Sequence, residues 1–257
     1  MKVVILAGGL GTRLSEETII KPKPMVEVGG MPILWHIMKI YNHYGFNDFI
    51  ICLGYKGFLI KEYFYNYMMY RSDLIVDSRD GTGITYLNSK NESWKITLID
   101  TGLNSQTGGR LKQVSNYIDD DTFMLTYGDG LADININDLL NFHKKNKCEI
   151  TVTAVRPNAR FGALDIDKNN YVNKFIEKPL GDQGWVNGGF FVMEKTFINK
   201  IKDNLTILER EPLEEASRLK ELKAFKHLSN WCAMDTLRDK HYLEDLWNEN
   251  RAFWKVW

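Results

Sequence analysis

The chain of 257 residues balances 33 Lys and Arg against 33 Asp and Glu, giving a formal net charge of zero, and 44% of it is hydrophobic. A core of useful size can be filled from that composition, which excludes a disordered or fibrous protein. No bulk positive field recruits nucleic acid or anionic lipid, so phosphate recognition has to be local.

The aromatic fraction of 12% exceeds what a core ordinarily needs and points to a ligand shelf or a subunit contact. Cys52, Cys148 and Cys232 lie far apart, a spacing that supports neither a disulfide framework nor a zinc site and fits a reducing cytoplasm. The first apolar run, Val3 to Ala7, breaks on Gly8-Gly9. It is too short for a signal-peptide core or a membrane span, and no membrane association is expected.

In chain order, Val3 to Ala7 reads as a β-branched strand buried on both faces of a parallel sheet. From Pro32, residues Ile33, Leu34, Ile37, Met38, Tyr41 and Tyr44 recur at helical spacing up to Gly45, and Asp48 to Leu53 is the next strand. Gly57 to Tyr70 reads as helix, Ser72 to Ser93 as a polar surface excursion or mobile loop, and Ile96 to Ile99 and Phe123 to Tyr127 as strands. This alternation predicts a βαβ-built sheet.

Beyond it, Ile150 to Val155, Gly162 to Ile166, Tyr171 to Ile176 and Gly189 to Met193 are short β-like runs, expected as added antiparallel strands around a pocket. A helix from Pro212, a strand from Leu222 to His227 and a helix from Thr236 to Asn250 close the chain. With no repeat or linker in view, a single α/β domain over 1–257 is expected, its two halves meeting at about residue 135.

Leu6-Ala7-Gly8-Gly9-Leu10-Gly11-Thr12-Arg13-Leu14 places a glycine-rich turn after the first strand, at the carboxyl edge where open α/β sheets bind ligands. Its backbone N–H groups and Arg13 suit phosphate, although a plain tight turn has the same composition. The Walker pattern is absent, and Leu14 stands where the dinucleotide fingerprint needs glycine, which disfavours an NAD-dependent oxidoreductase. Lys21-Pro22-Lys23-Pro24 follows, where alternating prolines predict an extended course that confines Lys23.

Tyr127-Gly128-Asp129-Gly130 presents a carboxylate at a strand end, suited to Mg²⁺ or to a turn. Asp235 is a second carboxylate that could share a cation or serve as the N-cap of the last helix. The presence of both argues against a sensing module stripped of its metal carboxylates. Phe175-Ile176-Glu177-Lys178-Pro179 and Asn187-Gly188-Gly189 add a charge pair and a glycine turn.

GGxGTRL followed by KPKPM resembles the signature of the sugar-1-phosphate nucleotidyltransferases, and the resemblance runs from Met1 to Trp257. It implies a Rossmann-like α/β fold with a mixed, mainly parallel sheet flanked by helices, in which a nucleotide-binding half precedes an elaborated half for sugar binding and oligomerisation. It further implies that Leu6, Ala7, Gly8, Gly9, Leu10, Gly11, Thr12, Arg13, Lys23, Ser105, Thr107, Arg110 and Gly128 bind nucleotide, with Arg13 and Lys23 catalytic. By the same resemblance, Asp129 and Asp235 hold Mg²⁺, while Glu177, Lys178, Asn187 and Gly188 bind the sugar phosphate.

The segments Leu14 to Thr18, Asp100-Thr101-Gly102, Thr107 to Leu111, Arg160 to Asp165, Met234 to Asp239 and Phe253 to Trp257 look like the cytidylyl-transferring branch of that family. CTP and glucose 1-phosphate are the substrates this implies, with CDP-glucose and pyrophosphate as products. A same-fold enzyme using dTTP, UTP or another sugar 1-phosphate is the alternative. Rings crowd Tyr63 to Tyr70 all round a helix, so part of that face is expected to meet another subunit. Phe253, Trp254 and Trp257 either form a second contact or dock into the core, and a homo-oligomer is implied.

Overall fold

The computed structural model describes residues 1–79, 81, 83–157, 163–166, 168, 171–176 and 184–257. The Arg160-Phe161-Gly162 part of one motif, and the sugar-side candidates Glu177 and Lys178, lie outside the described residues.

Seven strands form the central sheet: β1 (Lys2–Leu6), β2 (Asp48–Leu53), β3 (Lys95–Asp100), β4 (Thr122–Tyr127), β5 (Ile150–Val155), β6 (Val186–Glu194) and β7 (Leu222–Lys226). Their order is β7-β5-β6-β4-β1-β2-β3. Strands β1, β2, β3 and β4 pair in parallel, as do β5 and β7, while β6 runs antiparallel to both β4 and β5. All strands but β6 therefore end at one edge, and β6 begins there.

Among the described residues, six helices of two turns or so and longer pack on this sheet: α1 (Ile33–His43), α2 (Gly57–Tyr65), α3 (Thr107–Gln113), α4 (Ile136–Asn146), α5 (Glu211–Arg218) and α6 (Leu237–Asn248). Because successive strand side chains point to opposite faces, Val3 and Ile5 of β1 enter a core with α1, α4 and α6, while Val4 and Leu6 enter one with α3 and α5. Ile33, Leu34, Ile37, Met38 and Tyr41 of α1 are all fully buried, as their spacing predicts, and Gly45 at φ +87° ends the turn beyond them.

Three expectations are corrected and one of two alternatives is closed. The β5 run is not an added antiparallel strand but continues the parallel direction of the core, and only β6 reverses in this sheet; Ala163–Ile166 and Val172–Ile176 form a separate antiparallel ribbon. Ser72 to Ser93 is no plain loop, since Asp73–Asp77 pairs antiparallel with Gly83–Leu87. The helix from Gly57 breaks at Asn66, and the next turn, Tyr67–Tyr70, swings Tyr67 inward so that its hydroxyl accepts from Trp35 Nε1 at 2.8 Å. The N-cap of α6 is Thr236, whose side chain forms a reciprocal capping box with Asp239, which leaves Asp235 outside the helix.

The C-terminal aromatics dock into the core. Trp254 is fully buried and its Nε1 donates to His36 Nδ1 at 3.2 Å, while Trp257 packs edge-on against Trp35. With Nδ1 accepting, His36 Nε2 carries the proton and donates to the Val28 carbonyl at 2.8 Å. Burial, with the charge of Lys255 a smaller contributor, pushes His36 down to about 4 from its ordinary 6.5. A base whose folded pKa is depressed supports folding fully above pH 6.5 and loses that support as pH falls towards 4, a contribution of about 3 kcal/mol. Urea unfolding across that window should show stability falling with acid, and the fall should be shallower in His36→Asn; equal slopes would contradict the role given to His36.

Candidate active site

The glycine-rich segment leaves β1 at the carboxyl edge of the sheet and folds back as a short 3₁₀ turn, Thr12–Leu14. Gly11 has φ +66°, and its carbonyl accepts from Leu14 N at 2.9 Å and from Thr18 Oγ1 at 3.1 Å. A side chain at Gly8 would put its Cβ 2.2 Å from Arg110 Nη1, so the loop backbone and the guanidinium can lie together only because residue 8 has none.

Arg110 is buried at the heart of this turn. Its Nη1 donates to the carbonyls of Leu53 and Gly102 and to Thr101 Oγ1 at 2.8–2.9 Å, and its Nη2 donates to the carbonyls of Gly8 and Leu103 at 3.0 and 3.3 Å. Burial lowers the Arg110 pKa from its ordinary value. One cation thus ties the ends of β1, β2 and β3 to the start of α3.

The two candidate metal carboxylates come from the middle of the chain and from near its C-terminus. Gly130–Ala132 pairs antiparallel with Trp231–Ala233, and Met234 N donates to the Asp129 carbonyl at 2.9 Å, which sets Asp129 and Asp235 side by side. Lys23 lies between them, its Nζ 2.6 Å from Asp129 Oδ2 and 2.6 Å from Asp235 Oδ1. Arg13 Nη1 donates to the other oxygen, Asp235 Oδ2, at 2.7 Å. Burial alone would lower the Lys23 pKa, but the charges of Asp129 and Asp235 and their hydrogen bonds outweigh it and hold the ammonium above its ordinary value. The route to this place differs from the extended course expected: Pro22 is extended, but Lys23–Met25 forms a 3₁₀ turn with Pro24 buried beneath it.

These groups open onto one cavity of about 570 Å³, lined by Leu6, Ala7, Gly8, Gly9, Gly11, Thr12, Arg13, Lys23, Ser105, Thr107, Arg110, Gly128, Asp129, Asn187 and Asp235 among the expected residues. That volume suits a nucleotide-sized ligand. Leu10 points outward, about half exposed, and Gly188 acts through its backbone, its carbonyl accepting from Trp231 Nε1 at 2.8 Å. Ser105 donates to the Thr101 carbonyl and accepts from Gln113 Nε2, so its hydroxyl is already engaged.

The cavity wall also holds Pro24, Gln106, Tyr127, Glu209, Trp231 and Ala233, none of them assigned a site role from sequence, although Pro24 and Tyr127 stand within its motifs. Glu209 accepts from Thr107 Oγ1 at 2.6 Å and from the Tyr127 hydroxyl at 2.5 Å, and Asn187 Nδ2 donates to that hydroxyl at 3.1 Å. Burial and the neighbouring Glu209 carboxylate push the Tyr127 phenol up, so it keeps its proton as a donor. No motif flags Glu209, which stands in an irregular stretch before α5. No histidine or cysteine is among the described lining residues.

Comparison with known proteins agrees with this geometry. The family model for nucleotidyl transferases matches residues 2–252. The chain is 54% identical over 258 aligned positions to the glucose-1-phosphate cytidylyltransferase of Salmonella typhimurium, with all of both chains covered. It is 45% identical, again over the whole of both chains, to the probable glucose-1-phosphate cytidylyltransferase of Bacillus subtilis. Among solved structures, HddC from Yersinia pseudotuberculosis superposes with a TM-score of 0.69 at 24% identity, covering 96% of this chain and 99% of its own. The sheet order, the glycine loop on its carboxyl edge and the full-length match together place the chain in the nucleotidyl transferase family.

Proposed function

We propose that the chain transfers a cytidylyl group from CTP to α-D-glucose 1-phosphate, giving CDP-glucose and pyrophosphate. The observation that carries this reading is the convergence of Lys23, Arg13, Asp129 and Asp235 on one cavity beside the glycine loop. Full-length similarity to two cytidylyltransferases supports the choice of substrates.

A phosphate oxygen of the sugar phosphate attacks the α-phosphorus in line, and the bond to the β-phosphate's bridging oxygen breaks as pyrophosphate leaves. That nucleophile is already anionic at neutral pH, so no general base is required, and the described lining residues include no histidine. The protein's task is positioning and charge neutralisation. Lys23 bears on the α-phosphoryl group, where negative charge crowds as the sugar phosphate closes in. Arg13, largely exposed and joined to the cluster through Asp235, is free to turn to the departing pyrophosphate. Glycine-loop N–H groups line the phosphate path.

Asp129 and Asp235 fit Mg²⁺: both reach the same ammonium, so their oxygens are near neighbours, and a hard cation accepts two carboxylates with substrate phosphates completing its shell. Among the described residues no group of three or more His, Cys, Asp and Glu is arranged to hold a metal ion, so a dedicated all-protein cage is not on offer. When bound, Mg²⁺ would supply neutralisation of phosphate charge. On the sugar side, Asn187 and the Gly188 backbone stand at the entry of β6, and we assign Glu177 and Lys178 to the same subsite. For the base, Arg110 holds the loop carbonyls in shape and brings positive potential to the side where cytosine offers its O2 and N3 acceptors.

No helix among the described residues is long and apolar enough to cross a membrane, and three free cysteines suit a reducing cytoplasm. We also propose a homo-oligomer. Tyr65 and Tyr70 stand largely exposed, and Ile75, Val76 and Ile84 are exposed on a two-stranded hairpin, which is marginal without cover.

Incubating the protein with Mg²⁺, each nucleoside triphosphate and a panel of sugar 1-phosphates should release pyrophosphate with CTP and glucose 1-phosphate, and Arg110→Ala should weaken the CTP preference. Release with dTTP or UTP alone would overturn the substrate assignment. Lys23→Ala should lower kcat by at least about a hundredfold while the fold survives; near-normal turnover in that variant would remove Lys23 from the chemistry. Light scattering should give a multiple of the 29.9 kDa chain mass, and a monomer would refute the oligomer.

A further inference from the structure

The polar groups along the cavity wall converge on a single acceptor. Glu209 Oε2 accepts a hydrogen bond from Thr107 Oγ1, and that hydroxyl oxygen in turn accepts from Leu208 N at 2.9 Å. Glu209 Oε1 accepts a hydrogen bond from the Tyr127 hydroxyl, leaving the phenol oxygen to accept from Asn187 Nδ2. The Asn187 carbonyl oxygen accepts from Gly189 N at 2.9 Å, so the amide is fixed at both ends and its second N–H is the one left for a ligand.

The elements around this chain of contacts are closely fitted. Thr107 opens α3, where Gln106 N and Gly109 N donate to the carbonyls of Asn204 and Thr206. A Cβ on Gly109 would lie 2.1 Å from the Asn204 carbonyl, so helix and segment approach as closely as backbones can. Gly189, at φ +85°, has the Tyr127 ring where a Cβ would go, at 2.6 Å. Tyr127 in turn stands two positions before Asp129. Glu209 therefore joins the helix on the nucleotide side, the strand that leads to the metal carboxylate and the strand entry on the sugar side.

We infer that Glu209 is a positioning residue that couples the two substrate subsites, holding Thr107 directly and Asn187 through Tyr127. The inference rests on the proposed function and deepens it: a nucleoside triphosphate ordered against α3 finds the sugar-phosphate subsite already set, and by linkage the sugar phosphate tightens the nucleotide by the same factor. Each arm can be cut separately. Tyr127→Phe removes the hydroxyl that receives Asn187 and reaches Glu209, whereas Thr107→Val removes only the nucleotide-side arm.

The experiment is calorimetric, on the full-length chain with Mg²⁺ and the non-cleavable α,β-methylene analogue of CTP. The affinity for glucose 1-phosphate is read with and without the analogue, and the reverse. Wild type should show synergy. Glu209→Ala should reduce that synergy by about tenfold, Tyr127→Phe should weaken glucose 1-phosphate while leaving the analogue within about twofold, and Glu209→Ala with Tyr127→Phe should cost less than the sum of the two. Glu209→Gln, whose amide oxygen still accepts from the Tyr127 phenol, should recover most of the glucose 1-phosphate affinity, which a merely structural defect would not. Should Glu209→Ala fail to fold, Tyr127→Phe and Glu209→Gln carry the comparison. Unchanged synergy in folded Glu209→Ala, or an equal loss of both ligands in Tyr127→Phe, would overturn the inference. Failure of the underlying function would register separately, as no CDP-glucose made by the wild-type chain.

Discussion

Two carboxylates placed side by side in a half-buried cleft repel each other, and Lys23 is the group that lets Asp129 and Asp235 stand together. Its ammonium lies 2.6 Å from each, and Arg13 meets Asp235 from the open side. Such a cluster is worth little as a general source of stability, because desolvating the charges opposes most of their attraction. Its value is placement: the segment after the first glycine loop, the end of β4 and the entry to α6 are all brought to one point. Removing a single member leaves an uncompensated charge, so the cluster holds as a unit.

The sheet explains why these segments meet. Because all strands but β6 end at the same edge, the β1 glycine loop, Asp129 just beyond β4 and the Leu53 carbonyl of β2 lie at one side, and antiparallel β6 brings Asn187 there near its start. Arg110 then closes the assembly from beneath, saturating backbone carbonyls that would otherwise face a buried space without donors. The ring cluster of Trp247, Trp254 and Trp257 on His36 ties α6 and the C-terminal segment to the first turn of α1.

Much of this was legible in the sequence because it depends on local pattern. The β-branched run before Gly8, the stripe from Ile33 to Tyr41 and the glycines of the first loop each encode their own conformation. Lys23, Asp129 and Asp235 could be named from their motifs and their resemblance to a family. Their meeting point could not be read from spacing, since it depends on the pairing of Gly130–Ala132 with Trp231–Ala233 across a hundred residues of chain. Glu209 was invisible for the same reason: a carboxylate in an irregular stretch carries no periodicity, and only the tertiary contacts to Thr107 and Tyr127 give it a role. The break at Asn66 and the hairpin after it show tertiary packing and strand pairing overriding a pattern that reads as helix and loop.

Asp129 and Asp235 with Lys23 and Arg13 form one centre of two negative and two positive groups, and the proposed function has metal and nucleotide received there together. The most direct test is the affinity of the protein for CTP with and without Mg²⁺, in wild type and in Asp129→Asn and Asp235→Asn. Mg²⁺ should tighten CTP binding in wild type, and that gain should vanish in both variants while the fold is retained. An undiminished Mg²⁺ effect in either variant would contradict the account.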